Sequence, residues 1–150
     1  IFLFLISTLH AQRGSSPVAN RTSGPAVEDY SGSYALLIGN SDYTGWNKLP
    51  GVRKDIQALK RVLEEKHGFT VIVKEELDKQ GMDRAFSEFI RDYGQEPSNR
   101  LLFYYAGHGT QAGNVIYLAN YDINGSNPAE TGLSVTERAS SMAARIDSGS

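Results

Sequence analysis

The chain has 150 residues, enough for one domain with its own core, and a formal net charge of −2, which offers no broad attraction to nucleic acid or an anionic membrane. Its charged fraction of 21% and hydrophobic fraction of 40% are those of an ordinary globular domain. Cysteine is absent, which excludes a disulfide, a thiolate metal site and a thiol nucleophile within these residues, and the three dispersed histidines (His10, His67, His108) do not suggest a zinc site.

Ile1 to Leu9 is almost wholly apolar, and Leu9-His10-Ala11 resembles a small-residue signal-peptidase site. Residues 1–11 therefore read as the remainder of an export signal that lacks its charged start, with Gln12 as the mature N-terminus. The competing reading is a piece of a membrane anchor. About nine apolar residues fall well short of the roughly 20 that cross a bilayer, so no membrane span is expected. Residues 12–33 are rich in glycine, serine and proline and read as a flexible linker ahead of a domain at 34–150.

Tyr34 to Ile38 is a short apolar strand closed by Gly39-Asn40. The loop from Ser41 to Gly51 carries Tyr43, Trp46 and Pro50 and is long for a strand-to-helix connection, as functional loops often are. From Asp55 the pattern turns helical: Ile56, Leu59, Val62 and Leu63 fall on one face, and Gly68 stops the helix after His67. His67 is then a last-turn residue suited to the helix dipole. Phe69 to Val73 is a second strand. Met82, Phe86, Phe89, Ile90 and Tyr93 mark a second helix that Gly94 ends; these aromatics read as core.

Leu101 to Ala106 is an unbroken apolar and aromatic run, expected to be a strand buried on both faces. It ends in Gly107-His108-Gly109, where glycine on both sides allows a sharp turn and close approach of a ligand. Val115 to Ala119 is a short extra strand, and Asn120 to Thr131 a polar loop with Gly125 and Pro128. Ser134-Val135-Thr136-Glu137 has capping-box spacing and opens a helix along which Val135, Met142 and Ile146 continue the apolar stripe.

Alternation of strand and helix implies an α/β sheet with right-handed crossovers. The first core strand is expected at the centre, with the second on one side and the third on the other. The loops after Asn40 and around His108 then open at one switch point, at the carboxyl ends of the strands, where such sheets bind ligands. This makes His108 a site candidate. A histidine that merely caps a loop by hydrogen bonding is the plainer alternative.

Several stretches together resemble the caspase-like cysteine peptidases, nearest to the bacterial metacaspase-like and orthocaspase-like branches. They are Tyr-Ala-Leu-Leu-Ile-Gly-Asn at 34–40, Leu-Pro-Gly-Val-Arg-Lys-Asp at 49–55, Gly68-Phe69, and Leu-Leu-Phe-Tyr-Tyr-Ala-Gly-His-Gly at 101–109. The resemblance covers roughly Tyr34 to Ile146. It implies a three-layer αβα sandwich with a mainly parallel sheet, incomplete here because the C-terminal strands are missing. It implies peptide-bond hydrolysis through a Cys/His dyad, with His108 as the base and acid. Gly109 resembles the residue whose backbone N–H forms half of the oxyanion hole. The cysteine is expected beyond residue 150, so the 150-residue chain is expected to be inactive by itself and the outer edge of the third core strand to be unpaired.

The resemblance also implies a preference for Arg or Lys before the scissile bond, with Asp55 and Asn40 as substrate-binding candidates. For Asp55 a carboxylate placed to suit a helix N-terminus is the plainer reading. Val52 stands where some metacaspases carry cysteine, which weakens that assignment. The expected partner is a peptide or protein substrate. No cofactor is called for, and calcium activation has no support in these residues. A caspase-like interaction module without its nucleophile is the alternative function. A flavodoxin-like ligand domain is disfavoured because the first loop lacks a glycine-rich phosphate pattern.

Overall fold

In the computed structural model, which describes residues 2–7, 30–123, 132–138 and 140, the main sheet has four strands. They are β1 (Phe2–Ser7), β2 (Gly32–Gly39), β3 (Thr70–Glu75) and β4 (Asn99–Gly107), arranged in the order β1-β4-β2-β3. β2 is parallel to both neighbours, with Ile38 opposite Lys74 on one side and Tyr105 on the other. The central position expected for the first core strand is therefore observed.

Helix α1 (Val52–His67) and helix α2 (Lys79–Tyr93) cover opposite faces of this sheet. Alternation along β2 shows why. Leu36 and Ile38 pack with Met82, Phe86 and Phe89 of α2, and with Phe103 and Tyr105 of β4. Ala35 and Leu37 point the other way, to Val52, Ile56 and Leu63 of α1, with Tyr104 and Ala106. Period-two strands feeding both layers give an α/β/α sandwich. Burying each Leu, Ile or Phe side chain contributes about 1.5–3 kcal/mol before the entropic cost of ordering it.

The helix boundaries follow local chemistry. α1 begins at Val52, one turn ahead of the expected Asp55, and Val52 completes the buried stripe with Ile56 and Leu63. Val62, expected on that face, is instead 44% exposed: it lies about 100° around the helix from Leu63. At the other end Gly68 adopts φ 65°, and Phe69 N–H donates to the Leu63 carbonyl at 3.0 Å. α2 is capped by Asp78, whose carboxylate accepts from Gly81 N–H at 2.6 Å.

Two features differ from the sequence reading. The outer edge of β4 is not open: Phe2–Ser7 runs antiparallel along it, Phe2 opposite Gly107 and Ser7 opposite Leu102. A six-residue apolar segment there satisfies the backbone groups that a bare edge would leave unpaired. A second, three-stranded antiparallel sheet is also present, from β5 (Gly109–Ala112), β6 (Val115–Ala119) and β7 (Gly132–Ser134). Only β6 was expected. The chain is helical at 135–138, where Glu137 N–H donates to Ser134 Oγ at 3.3 Å, one half of the expected capping box. Leu9-His10-Ala11, the 12–29 part of the linker, Gly125, Pro128, Met142 and Ile146 lie outside the described residues. Among the described residues, no helix is long and apolar enough to cross a membrane.

Candidate active site

β2 and β4 end side by side, because Gly39 lies opposite Ala106 and Asn40 N–H donates to the Ala106 carbonyl at 3.0 Å. The loop after β2 and the turn after β4 thus leave the sheet together at the switch point. The loop is tied down at several places. Leu49 N–H donates to the Ser41 carbonyl at 2.9 Å, and Thr44 N–H to the Tyr121 carbonyl at 3.2 Å. The Glu76 carboxylate accepts from the backbone N–H of Ser41 and of Asp42 at 3.0–3.2 Å, and Lys48 pairs with Asp42. Glu76 itself has φ 51°, a region that residues with a Cβ seldom adopt.

His108, half-buried, sits against this loop. Its Nε2 lies 2.8 Å from the Asn47 carbonyl oxygen. A carbonyl only accepts, so Nε2 carries the proton and, in the neutral ring, Nδ1 is the acceptor nitrogen. The imidazole is flanked by Tyr43, with centroids 4.7 Å apart, and by Trp46, edge to face at 5.3 Å. Its backbone is held as firmly: His108 N–H donates to Tyr43 Oη at 2.8 Å, and the His108 carbonyl accepts from Ala119 N–H at 3.0 Å and from Tyr105 Oη at 2.8 Å. Gly107 is required here by close approach. A Cβ on it would lie 2.3 Å from Tyr105 Oη and 2.5 Å from Tyr43 Oη.

Gly109 opens β5 opposite Leu118. The Ala119 N–H to His108 carbonyl bond makes 108 and 119 a hydrogen-bonded pair, so 109 and 118 are the next, non-bonded pair. The N–H of Gly109 consequently points off the ladder.

The other two expected residues fare differently. Asn40 is fully buried. Its Nδ2 donates to the carbonyls of Ala119 at 3.0 Å and Leu77 at 3.4 Å, and its Oδ1 accepts from Leu77 N–H at 2.9 Å. Its amide ties the end of β2 to the Leu77 backbone, to Met82 Sδ of α2 at 3.6 Å and to β6, and the 119 segment closes over it. Asp55 is exposed in the first turn of α1. Burial, helped by the Asp55 charge, raises the Tyr104 phenol above its ordinary range. Among the described contacts none joins Asp55 to His108.

Sequence reading missed the two tyrosines. Burial raises the pKa of Tyr43, and raises that of Tyr105 further, with the neighbouring Tyr43 adding to it. Tyr43 was visible only as an aromatic residue in a long loop, and Tyr105 only as part of an apolar run.

The family model of the caspase domain matches residues 33–145, which span the main sheet from β2 onward, both helices and the whole of the site. No curated protein matches the chain.

Proposed function

Since the chain belongs to the caspase-domain family, a family of cysteine peptidases acting on peptides and proteins, we propose that it forms the histidine-bearing part of a cysteine endopeptidase. The observation that carries this reading is the fixed Nε2–H of His108, bonded to the Asn47 carbonyl, which leaves Nδ1 as a base directed by a rigid backbone. His108 takes the proton of a cysteine thiol and returns it to the leaving amine. Gly109 N–H, free of its strand partner, donates to the carbonyl oxygen as it gains charge. The thiol comes from sequence beyond Ser150, since these 150 residues contain no cysteine. The chain by itself therefore does not hydrolyse peptides.

Substrates carry Arg or Lys before the scissile bond. The exposed carboxylate of Asp55 at the carboxyl end of the sheet supports that choice, as does the metacaspase-like motif order. The apolar Ile1–Leu9 segment, followed by Leu9-His10-Ala11, supports export from a bacterial cell, with a mature chain that starts at Gln12; that cleavage removes β1 and reopens the edge of β4 that Phe2–Ser7 covers. N-terminal sequencing of the protein recovered from its host tests this directly.

The second reading is a caspase-like interaction module. It is favoured by the absence of cysteine among these residues. A thiol-reactive peptide probe with arginine in the specificity position separates the two. On the full-length protein the peptidase reading expects covalent labelling that an aspartate probe does not reproduce; an unlabelled protein supports the module.

A further inference from the structure

We infer that Tyr43 and Tyr105 are positioning residues for His108, joined through their hydroxyls into one chain that holds the histidine's backbone at both its N–H and its carbonyl. This deepens the peptidase reading and rests on it for its link to turnover.

Counting protons sets the direction of the chain. Tyr105 Oη lies 2.6 Å from the Ala119 carbonyl and 2.8 Å from the His108 carbonyl. Two carbonyl oxygens that close are tolerated only if the Tyr105 proton points at them. Tyr105 therefore does not donate to Tyr43, and the Tyr43 proton is shared between Tyr105 Oη at 3.0 Å and the Ala119 carbonyl at 3.2 Å. Tyr43 then accepts from His108 N–H at 2.8 Å. The order is His108 N–H to Tyr43, Tyr43 to Tyr105 and the Ala119 carbonyl, and Tyr105, its one proton shared, to the carbonyls of Ala119 and His108. Each bond polarises the next, and the whole lies in a dry interior, where both phenols are at most 2% exposed. Asn40 supports the far end by donating to the same Ala119 carbonyl at 3.0 Å.

Two observations tie this chain to the imidazole and not to packing alone. Tyr43 touches His108 twice, through its hydroxyl to the backbone and through its ring to the side chain. It also lies on the same loop as Asn47, whose carbonyl fixes the ring's tautomer. Displacing His108 by a few tenths of an ångström from Tyr43 therefore also disturbs the Nε2 contact. A buried tyrosine pair that only satisfied carbonyls would have no such coupling.

The test uses Tyr43→Phe, Tyr105→Phe and the double variant of the full-length protein. Hydrogen exchange at the His108 amide is expected to quicken at least tenfold in Tyr43→Phe. Turnover should fall about tenfold in each single variant with KM within twofold, and the double should be no slower than the slower single, because a broken chain cannot be broken again. Losses that multiply in the double variant, or singles with wild-type kcat, overturn the proposal. Should the wild-type protein fail to cleave peptides, the peptidase reading fails separately, and the imidazole 15N spectrum decides the positioning claim. A pure Nε2–H tautomer in the wild type that becomes mixed in Tyr43→Phe upholds it; an unchanged spectrum overturns it. If Tyr43→Phe does not fold, Tyr105→Phe alone is read by the same spectrum and the same kinetics.

Discussion

The carbonyl oxygen of Asn47 stands 2.8 Å from Nε2 of His108, so a backbone group, and not a carboxylate side chain, selects the histidine's tautomer. The side chain of Asn47 is exposed and has no part in that contact. Asn47→Ala should therefore keep kcat/KM of the full-length enzyme within about threefold and change stability by less than about 0.5 kcal/mol. Steady-state kinetics with a thermal melt checks this. A hundredfold loss would mean that the amide side chain, not the carbonyl, orients the ring.

Gly107→Ala should be far more costly. The new Cβ would press on Tyr105 Oη at 2.3 Å and on Tyr43 Oη at 2.5 Å, both buried and both attached to rigid rings. Relief requires moving β4 or parting the tyrosines, at about 1–3 kcal/mol, the usual cost of overpacking. The melting temperature should drop by several degrees. Gly68→Ala makes a useful contrast, since nothing lies within 4 Å of its Cβ and only the positive φ is strained; roughly 1–2 kcal/mol is expected there, with no effect on the site.

Glu76 combines an unfavourable φ of 51° with a carboxylate that receives two backbone N–H groups of the loop. Replacing it by glycine relieves a backbone cost of order 1–3 kcal/mol but removes those charge-assisted bonds, each of similar size. Glu76→Gly should thus change global stability little and loosen residues 41–50, seen as faster amide exchange at Ser41 and Asp42. Glu76→Gln, which keeps an acceptor, should show smaller changes. Slower exchange in Glu76→Gly would contradict the anchoring role.

Much of this architecture was legible in the sequence, for particular reasons. The apolar run at 34–38 read as a short strand and that at 101–106 as a strand buried on both faces, and helical spacing from Ile56 to Leu63 and from Met82 to Tyr93 supplied the two covering layers. His108 was found because two glycines isolate it at a strand end. What escaped notice depends on distant contacts. Tyr43 and Tyr105 are 62 positions apart, and their hydroxyl bond appears only once the loop folds over β4. Asn40 was named as a substrate-binding candidate, and the segment that covers it, at Ala119, lies 79 residues away in the chain. β5 and β7 are too short and too poor in branched residues to show a period. Asp78 was overlooked as a cap since Lys79 and Gln80 after it show no apolar rhythm.

Alkaline pH should loosen the site through the same tyrosines. Both phenols have folded-state pKa values above the ordinary 10.0, chiefly because burial disfavours the phenolate. A raised folded value means their contribution to stability is complete below pH 10 and is lost as the pH climbs above it. Unfolding free energy should therefore decline above pH 10, and Tyr105→Phe should flatten that decline. Urea titrations at a series of pH values measure the slope; an equal slope in the variant would show that other groups carry it.

Central to the account is His108 as the base of a peptidase, and the most direct measurement is turnover of an arginine-bearing peptide by the full-length protein and its His108→Ala variant. General acid–base catalysis contributes about 10²–10⁴-fold, so kcat should fall by at least a hundredfold while the circular dichroism spectrum is preserved. Turnover that survives the substitution undiminished would contradict the claim and leave His108 as a histidine that caps a loop.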